Sequence, residues 1–469
     1  MRYLLSISLF VFLFGQTTFA QSSDNVSTSD TISIEKSNPL EILNPEVLFP
    51  FFKQLQSLVT KKEGKVRMVQ IGDSHIQADF STNIIKDIFQ QKFGNGGLGF
   101  IFSHRLVKTN GTSKVNFKSN ANFSSSRNVR PADENPIGIA GYTISTSNIN
   151  AVMEVDKKNE QDYPNSIKII TPNKERFFNV GFANGNRISL EKQTIKAKNH
   201  KVKKGETLSS ISRKYGVSID FIKKSNGLKS NNLAIGKSLK VGEEKEIESE
   251  VSIPNFDLVD LTFDDKSFFY NSPKAIDEFY LIANESKSDY KLSGLLLENN
   301  QSGITFSGIG VNGAKLSDYN QFDMFFDQLQ VLNPNLIIVS LGTNESFDRL
   351  IAADYMHNLQ IFVSKVKQIN PNTVILVTTP PPSTLHKRFE NTYIAEYTKG
   401  IIEFANTNKT IAVFDMYQAF GGENGVKINK QKGFLAKDEV HYTKEGYEQQ
   451  GKILAEALLN AYQNYISNK

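Results

Sequence analysis

Residues 66–75, with the sequence VRMVQIGDSH, decide the fold of this chain. The apolar side chains up to Ile71 predict a strand, and the glycine that follows is a typical strand end. A helix with one apolar face comes next, with an expected N-cap at Ser81 or Thr82 and an expected stop at Gly94. A strand followed directly by a helix is the repeating unit of an α/β sheet.

The same alternation returns in the second half of the chain. Further buried strands are predicted at 303–308, 335–341, 373–379 and 411–414. Helices are predicted between and after these strands, at 356–369, 393–406 and 443–465. Strands that alternate with helices form right-handed βαβ units, and therefore a parallel sheet.

Between the two halves the pattern changes. The segments 142–146, 166–170 and 258–263 are rich in β-type residues and are separated by Gly, Asn and Asp. They predict an inserted antiparallel β domain. A compact, lysine-rich segment at 200–241 has its own apolar rhythm and interrupts this insert in turn.

The composition excludes several classes of function. A chain of 469 residues is too long for one ordinary domain, and 39% hydrophobic residues are enough for sizeable cores. The chain has no cysteine, which excludes disulfides, thiol catalysis and thiolate metal sites. Six dispersed histidines predict no metal site, so no metal or cofactor is expected. The net charge of +5 suits anionic surroundings such as a cell-wall polymer, and is too small to predict nucleic-acid binding.

The N-terminus predicts an export signal. Arg2 precedes an apolar run at 3–14, and Thr18-Phe19-Ala20 is a typical cleavage pattern before Gln21. This run is far shorter than the ~20 apolar residues that a membrane-spanning helix needs. We therefore expect a signal peptide at 1–20, a flexible leader at 21–45, and a soluble protein without a transmembrane segment, exported to the periplasm or cell surface of a bacterium.

Five polar or glycine residues at expected strand ends and loops predict acyl-transfer chemistry. Ser74 follows the first strand, where active-site residues of parallel sheets gather. The spacing of Asp438 and His441 lets one tight turn place the carboxylate against one imidazole nitrogen and leaves the other for the serine. An amide at Asn344 can donate to a developing oxyanion, and the missing side chain of Gly313 lets a backbone N–H approach substrate. Each residue alone is more often a simple turn or surface residue, so the argument rests on the set.

Gly308-x-Gly310-x-x-Gly313 also fits a dinucleotide-binding fingerprint. The acidic residue expected about twenty positions further on is missing. Nucleotide binding is therefore not expected.

Taken together, Gly72-Asp73-Ser74, Gly313, Gly342-x-Asn344 and Asp438-x-x-His441 resemble the four sequence blocks of SGNH (GDSL) hydrolases. The resemblance implies a flavodoxin-like three-layer α/β sandwich with a parallel sheet. It also implies that Ser74 is the nucleophile, that His441 is the general base and that Asp438 orients it. The N–H groups of Ser74 and Gly313 and the amide of Asn344 would form the oxyanion hole. Glu345 and His75 depart from the residues usual at their positions.

The Gly-Asp-Ser-His form, followed by a β insert, is similar to the branch that contains bacterial peptidoglycan O-acetylesterases. Residues 200–241 resemble a lysin-motif (LysM) domain, a βααβ module that binds N-acetylglucosamine-containing glycans. The matching segments are 204–208, 215–217, 226–228, 235–236 and 239–241. The glycan-binding residues implied are Gly205, Glu206, Thr207, Leu208, Asn226 and Leu228. Ser209 stands at a position that is often aromatic, which implies a lower affinity.

We therefore expect a hydrolase domain at 46–115 and 295–469, a β-sandwich-like insert at 116–199 and 242–294, and a LysM domain at 200–241. The expected function is an exported serine esterase that removes O-acetyl groups from peptidoglycan or a related N-acetylglucosamine-containing glycan. Two alternatives stay open. One is an esterase acting on other acetylated polysaccharides or on lipids, which a broad apolar groove near Pro380-Pro381-Pro382 would favour. The other is a non-catalytic cell-wall-binding protein.

Overall fold

The computed structural model describes residues 40–131, 136–184, 193–195, 198–242, 245–247 and 255–468. The expected signal peptide and most of the expected leader lie outside the described residues. No helix in these ranges is both long and apolar enough to cross a membrane.

Six strands form the central sheet. In spatial order they are Ile42–Leu43, Ala412–Phe414, Val374–Thr378, Leu336–Ser340, Lys65–Gly72 and Gly303–Gly310. The last five run parallel to one another, and Ile42–Leu43 pairs antiparallel with its neighbour. The mixed α/β class expected from the sequence is confirmed.

Helices cover both faces of this sheet. One face carries Phe49–Lys61, Phe80–Phe93 and Lys444–Ser467, and the other carries Asp323–Leu332, Ala352–Ile369 and Thr392–Asn408. Successive strand residues point to opposite faces, so Ile337 and Val339 join one core while Leu336 and Ile338 join the other. Short helices lie in the connections, at Ser74–Gln77, Leu316–Asn320, Thr343–Phe347, Met416–Ala419 and Gly425–Gln431.

The predicted start of the helix that follows the strand Lys65–Gly72 is wrong. The helix begins at Phe80, so Ser81 and Thr82 lie inside its first turn instead of capping it. Asp79 is in the left-handed region at φ 62 and precedes the helix directly. Thr82 Oγ1 donates to Asp79 Oδ1 at 2.7 Å, so the hydroxyl steadies this turn.

Antiparallel sheets fill much of the segment between residues 99 and 298. One sheet contains Phe256–Val259, Phe178–Ala183, Glu278–Ala283, Val152–Lys157 and Val115–Ser119. The second contains Thr262–Phe263, Phe268–Asn271, Ser166–Ile170, Gly294–Glu298 and Gly99–Ile101, and a third contains Tyr290–Leu292, Tyr142–Thr146 and Ser124–Arg127. The segment 258–263 is therefore divided between two sheets. Gly99–Ile101 pairs with Gly294–Glu298, although residues 99–101 come before residue 116, where the insert was predicted to begin. The predicted domain limits stay a prediction.

Residues 199–241 form a small βααβ unit. The strands Asn199–Lys201 and Ser238–Lys240 pair antiparallel, with the helices Leu208–Tyr215 and Ile219–Ser225 between them. Thr207 and Ser210 form a capping box at the first helix. The unit has its own core of Val202, Leu208, Ile211, Ile222, Leu239 and Val241. Flanking it, Gln193–Ile195 pairs with Lys245–Ile247.

Candidate active site

Ser74 stands at the carboxyl end of the strand Lys65–Gly72, as the first residue of the helix Ser74–Gln77. Asp73 caps this helix, and its Oδ1 accepts the backbone N–H of His75 at 2.9 Å. The N–H of a first helical residue has no acceptor within its own helix. The strand end therefore presents both the Ser74 hydroxyl and its N–H at the sheet edge where sites of parallel sheets lie.

Asp438 and His441 lie on a turn before the last helix. Ser74 Oγ is 2.8 Å from His441 Nε2, and His441 Nδ1 is 2.8 Å from Asp438 Oδ2. Asp438 Oδ1 accepts the backbone N–H groups of Val440 at 3.0 Å and His441 at 2.9 Å, which closes the turn. The structure thus brings the three predicted residues into one line of hydrogen bonds, with the spacing that nucleophile, base and orienting acid require.

The electrostatics of this turn favour a charged carboxylate. Partial burial raises the pKa of Asp438, but hydrogen bonds from His441 and Val440 outweigh it and lower the pKa to about 2. The ionised carboxylate can stabilise an imidazolium at His441. The side chains of His441 and Asp438 are 42% and 49% exposed, so water reaches this side of the serine.

His75 packs against the proposed base. Its ring stacks on that of His441, with centroids 5.4 Å apart and planes inclined by 26°. Burial lowers the pKa of His75 to about 3, so the ring is neutral and adds no charge beside His441. Tyr442 and Tyr447 pack around His75 at centroid distances of 6.2 and 5.5 Å. The aromatic packing restrains the plane of the His441 ring, a role that the sequence analysis missed.

Gly313 lies in the turn that follows Gly303–Gly310, at φ 85, where glycine is favoured. The preceding residue, Asn312, donates its backbone N–H to Gln77 Oε1 at 2.7 Å. On the other side, the carbonyl of Ala314 accepts from Asn344 Nδ2 at 3.0 Å. The turn is therefore held between the helix of the serine and Asn344. Within the described chain, the N–H groups of Ser74 and Gly313 donate to no other residue.

The amide of Asn344 already has two acceptors. Its Nδ2 donates to Asp73 Oδ2 and to Ala314 O, both at 3.0 Å. Donation to an oxyanion therefore requires one of these hydrogens to be shared or redirected, which the sequence did not indicate. Burial raises the pKa of Asp73 to about 7, against the opposing hydrogen bond from the His75 N–H, so the charge of this acceptor changes near neutral pH.

Two buried side chains that the sequence analysis did not assign to the site tie its segments together. Glu345 Oε1 accepts the N–H of Leu316 at 2.8 Å, and burial raises the pKa of Glu345 to about 8. Besides Asn312, Gln77 contacts the loop before the strand Val115–Ser119, where its Nε2 donates to Asn110 O at 2.8 Å and to Thr109 Oγ1 at 2.9 Å. Their closeness to Ser74 and Asn344 in the sequence was the one available signal.

Close packing gives the dinucleotide-like glycine pattern a different explanation. A Cβ on Gly310 would lie 2.3 Å from the backbone nitrogen of Gln77 and 2.7 Å from the carbonyl oxygen of Asp73. No real side chain tolerates such distances. Glycine at this position lets the helix of Ser74 approach the neighbouring strand.

The predicted glycan-binding residues of the βααβ unit are mostly used within the unit. Glu206 Oε2 accepts from Lys203 N at 2.8 Å and lies 2.6 Å from His200 Nε2. Asn226 bonds both backbone groups of Lys240, Thr207 caps a helix and Leu208 is buried. Gly205, at φ 85, has open space around its Cα, and Leu228 is partly buried. Ser209 is exposed.

A cavity of ≈ 500 Å³ opens in front of the serine. It is lined by Ser74, Thr343, Asn344, Phe347, His386, Lys387, Asp438, Val440 and His441. Pro380 and Pro381 instead line a separate cavity of ≈ 30 Å³ behind Asp73, which is much smaller than the broad groove that would favour a lipid substrate. Across the described residues, no group of three His, Cys, Asp or Glu could hold a metal ion.

Comparisons with known proteins identify two segments of the chain. Residues 284–449 match the GDSL-like Lipase/Acylhydrolase family, and residues 200–242 match the LysM domain. An autolysin of Enterococcus faecalis (strain ATCC 700802 / V583) is 31% identical over 135 residues, which is 28% of this chain and 18% of the autolysin. A solved structure of a peptidoglycan O-acetylesterase shares the fold over 88% of this chain and 96% of its own, with a TM-score of 0.60 at 20% identity. The chain therefore joins a GDSL-like lipase/acylhydrolase domain to a LysM domain.

Proposed function

We propose that the protein is an exported serine esterase that removes O-acetyl groups from peptidoglycan. The observation that carries this proposal is the line of hydrogen bonds from Asp438 through His441 to Ser74 at the cavity. The acylhydrolase family match supports ester hydrolysis. The LysM domain, together with the fold shared with a peptidoglycan O-acetylesterase, supports a cell-wall glycan as substrate.

The scaffold supports the same proposal. Numbered along the chain, the five parallel strands of the central sheet have the spatial order 2-1-3-4-5, which is the order of flavodoxin-like sheets. We take the hydrolase to be a three-layer sandwich of this type, interrupted by the β-rich insert and by the LysM module within it. The predicted signal peptide supports export, to the periplasm or the cell surface.

In the first half-reaction, Ser74 Oγ attacks the acetyl carbonyl carbon while His441 Nε2 takes the serine proton. The carbonyl oxygen becomes an oxyanion facing the N–H groups of Ser74 and Gly313, with the Asn344 amide beside them. The C–O bond to the sugar then breaks, and the sugar hydroxyl leaves with the proton from His441. In the second half-reaction, His441 deprotonates a water that attacks the acetyl-serine. The bond from Ser74 Oγ to the acyl carbon then breaks, Oγ takes the proton back from His441, and acetate is released.

Acetate release from O-acetylated sacculi tests the proposal, with de-acetylated sacculi as the substrate control. We expect release by the wild type, and a fall in turnover of ~10⁶ for Ser74→Ala, as nucleophile removal causes in serine hydrolases. The exposed Ser209→Ala variant serves as the matched control and should keep wild-type turnover on p-nitrophenyl acetate. Equal acetate release by wild type and Ser74→Ala would exclude Ser74 as nucleophile. Glycan binding without any acetate release would favour the non-catalytic alternative.

Tethering by the LysM domain has its own test. Deletion of residues 200–241 should weaken co-sedimentation with insoluble sacculi and leave cleavage of p-nitrophenyl acetate unchanged. This unit has a separate core, so its removal leaves the packing of the hydrolase intact. Loss of small-ester cleavage in the deletion variant would show that the unit supports the hydrolase structurally, and would contradict a tethering role.

A further inference from the structure

The cavity in front of Ser74 is much larger than an acetyl group. Its volume of ≈ 500 Å³ exceeds the roughly 30 Å³ that one water occupies in the liquid by more than tenfold. The lining includes the nucleophile and the base, which act on the ester. It also includes Phe347, His386 and Lys387, which have no part in the chemistry. The shape therefore provides room for a part of the substrate beyond the acetyl group.

His386 and Lys387 belong to a hairpin that is hydrogen-bonded to the catalytic turn. The strands Thr384–Leu385 and Phe389–Glu390 pair antiparallel. Thr384 donates its backbone N–H to the carbonyl of Glu439 at 2.9 Å, and Glu439 lies between Asp438 and His441 in the sequence. The hairpin thus has a set position relative to the base.

The tip of the hairpin has an unusual backbone. His386 and Lys387 both lie in the left-handed region, at φ 54 and 59, where residues other than glycine are disfavoured. Such conformations persist where the surroundings hold them, and they concentrate at ligand-binding segments. The ring of His386 packs edge-on against Phe347 with centroids 5.2 Å apart, which steadies the tip beside the cavity.

Three acidic side chains that line the cavity or adjoin its lining are paired with cations. Asp438 is bonded to His441, Glu439 is paired with Lys430, and Asp348, next to Phe347, is paired with Lys315. Lys387 is exposed and forms no ion pair with any part of the chain that the structure describes. Among the residues that line the cavity, it is the cation that remains without an acidic partner.

We propose that the hairpin Thr384–Glu390 binds the substrate beyond its acetyl group, and that Lys387 pairs with a carboxylate that the acetylated polymer carries near the ester. This proposal rests on the proposed esterase function and adds a substrate class to it, an anionic glycan. The carboxylate belongs either to a sugar ring or to a peptide attached to the glycan. Both sources present the same group to an ammonium ion.

The test compares kcat/KM on three substrates: O-acetylated peptidoglycan fragments, acetylated polygalacturonate oligomers and acetylated xylo-oligosaccharides, with p-nitrophenyl acetate as a reference. Lys387→Asn removes the charge and suits the left-handed backbone better than lysine does, so it cannot act by weakening the turn. We expect it to lower kcat/KM about fivefold on the anionic substrates, mainly through KM, since exposed ion pairs are weak. Cleavage of the neutral xylo-oligosaccharides and of p-nitrophenyl acetate should stay unchanged.

Charge reversal and a neighbouring cation complete the design. Lys387→Glu should lower kcat/KM on the anionic substrates more than Lys387→Asn does, while Arg388→Gln, on the same loop and outside the cavity lining, should leave it near the wild-type value. A loss confined to peptidoglycan fragments assigns the carboxylate to the peptide, a loss confined to polygalacturonate assigns it to a sugar ring, and a loss on both shows that Lys387 pairs with either. An equal loss on all substrates, or no loss on either anionic one, overturns the proposal. If the wild type cleaves acetylated polygalacturonate but not peptidoglycan, the proposed function fails while Lys387 is still tested.

Discussion

The two sides of the Ser74 hydroxyl are built in different ways. On the acid–base side, Asp438 and His441 are about half exposed, and the bonds that shape their turn span three residues. On the oxyanion side, Asp73 is buried and bonds to Asn344, which is 271 residues away. The acid–base side therefore depends on local geometry, and the oxyanion side depends on the packing of distant segments. Substitutions on the two sides should consequently have different effects on kcat and on stability.

The largest effect is expected on the acid–base side. Asp438→Asn keeps the shape of the turn but removes the charge that stabilises an imidazolium, so kcat should fall by ~10⁴. KM and the thermal unfolding midpoint should change little, because the side chain is half exposed. Steady-state kinetics on p-nitrophenyl acetate and a thermal unfolding curve check both statements. A fall of less than tenfold would show that the carboxylate does not serve the base.

On the oxyanion side, Asn344→Ala should lower kcat by ~10²–10³ with little change in KM, as loss of one oxyanion donor does. The two existing bonds of the amide sharpen this test. If the amide stays bonded to Asp73 and Ala314 during the reaction, its removal will act through structure, and the unfolding free energy will fall together with kcat. A fall in kcat at unchanged stability is the result that assigns donation to the oxyanion.

The same contrast decides what the sequence could predict. The spacing of Asp438 and His441 encodes a turn, so their mutual geometry could be expected from the two residue types and their spacing. Apolar runs such as 335–341 located the strands for a similar local reason. The bonds of Asn344 to Asp73, and of Glu345 to Leu316, join segments whose approach is set by the sheet. Nothing in the local pattern indicates them. The predicted cap at Ser81 or Thr82 was wrong because Asp79, two residues before Ser81, turns the chain into the helix.

Buried acids on the oxyanion side make stability depend on pH. Burial raises the pKa of Asp73 to about 7 and that of Glu345 to about 8, above their values in an unfolded chain. The folded state then holds these protons more tightly, so the contribution of these two groups to stability is fully present below about pH 4 and is lost as the pH rises towards about 8. Glu345→Gln removes one of the two groups. The free energy of unfolding should then decrease less with rising pH, by up to a few kcal/mol, because one pKa unit corresponds to about 1.4 kcal/mol.

Urea unfolding at pH 5 and pH 8 measures the difference, with wild type and Glu345→Gln compared at each pH. The comparison cancels the titration of other groups. Glu448 is partly exposed and pairs with Lys444 on the last helix, and it provides the control Glu448→Gln, whose pH dependence should follow the wild type. A wild-type slope retained in Glu345→Gln would show that this acid is not the source.

The smallest expected effect tests whether the oxyanion side depends on the loop that contains Thr109 and Asn110. Gln77 bonds the turn of Gly313 through Asn312 and reaches Thr109 and Asn110 with its amide. Gln77→Leu removes these bonds, so the N–H of Gly313 loses its alignment and kcat should fall about tenfold, since small displacements of catalytic groups are costly. KM for p-nitrophenyl acetate should stay the same, because the acyl group still enters the cavity.

Tyr142→Phe is the matched control for this positioning role. The Tyr142 hydroxyl contacts Gln77 Oε1 at 3.4 Å, a weak bond in the same network that leaves Asn312 untouched. Its loss should hardly change kcat. If Gln77→Leu keeps wild-type kcat while its unfolding free energy falls, the network supports only the fold. The oxyanion side then does not depend on the loop of Thr109 and Asn110 for its alignment. If kcat falls in Gln77→Leu and not in Tyr142→Phe, the hydrogen bond to Asn312 aligns the turn that carries Gly313.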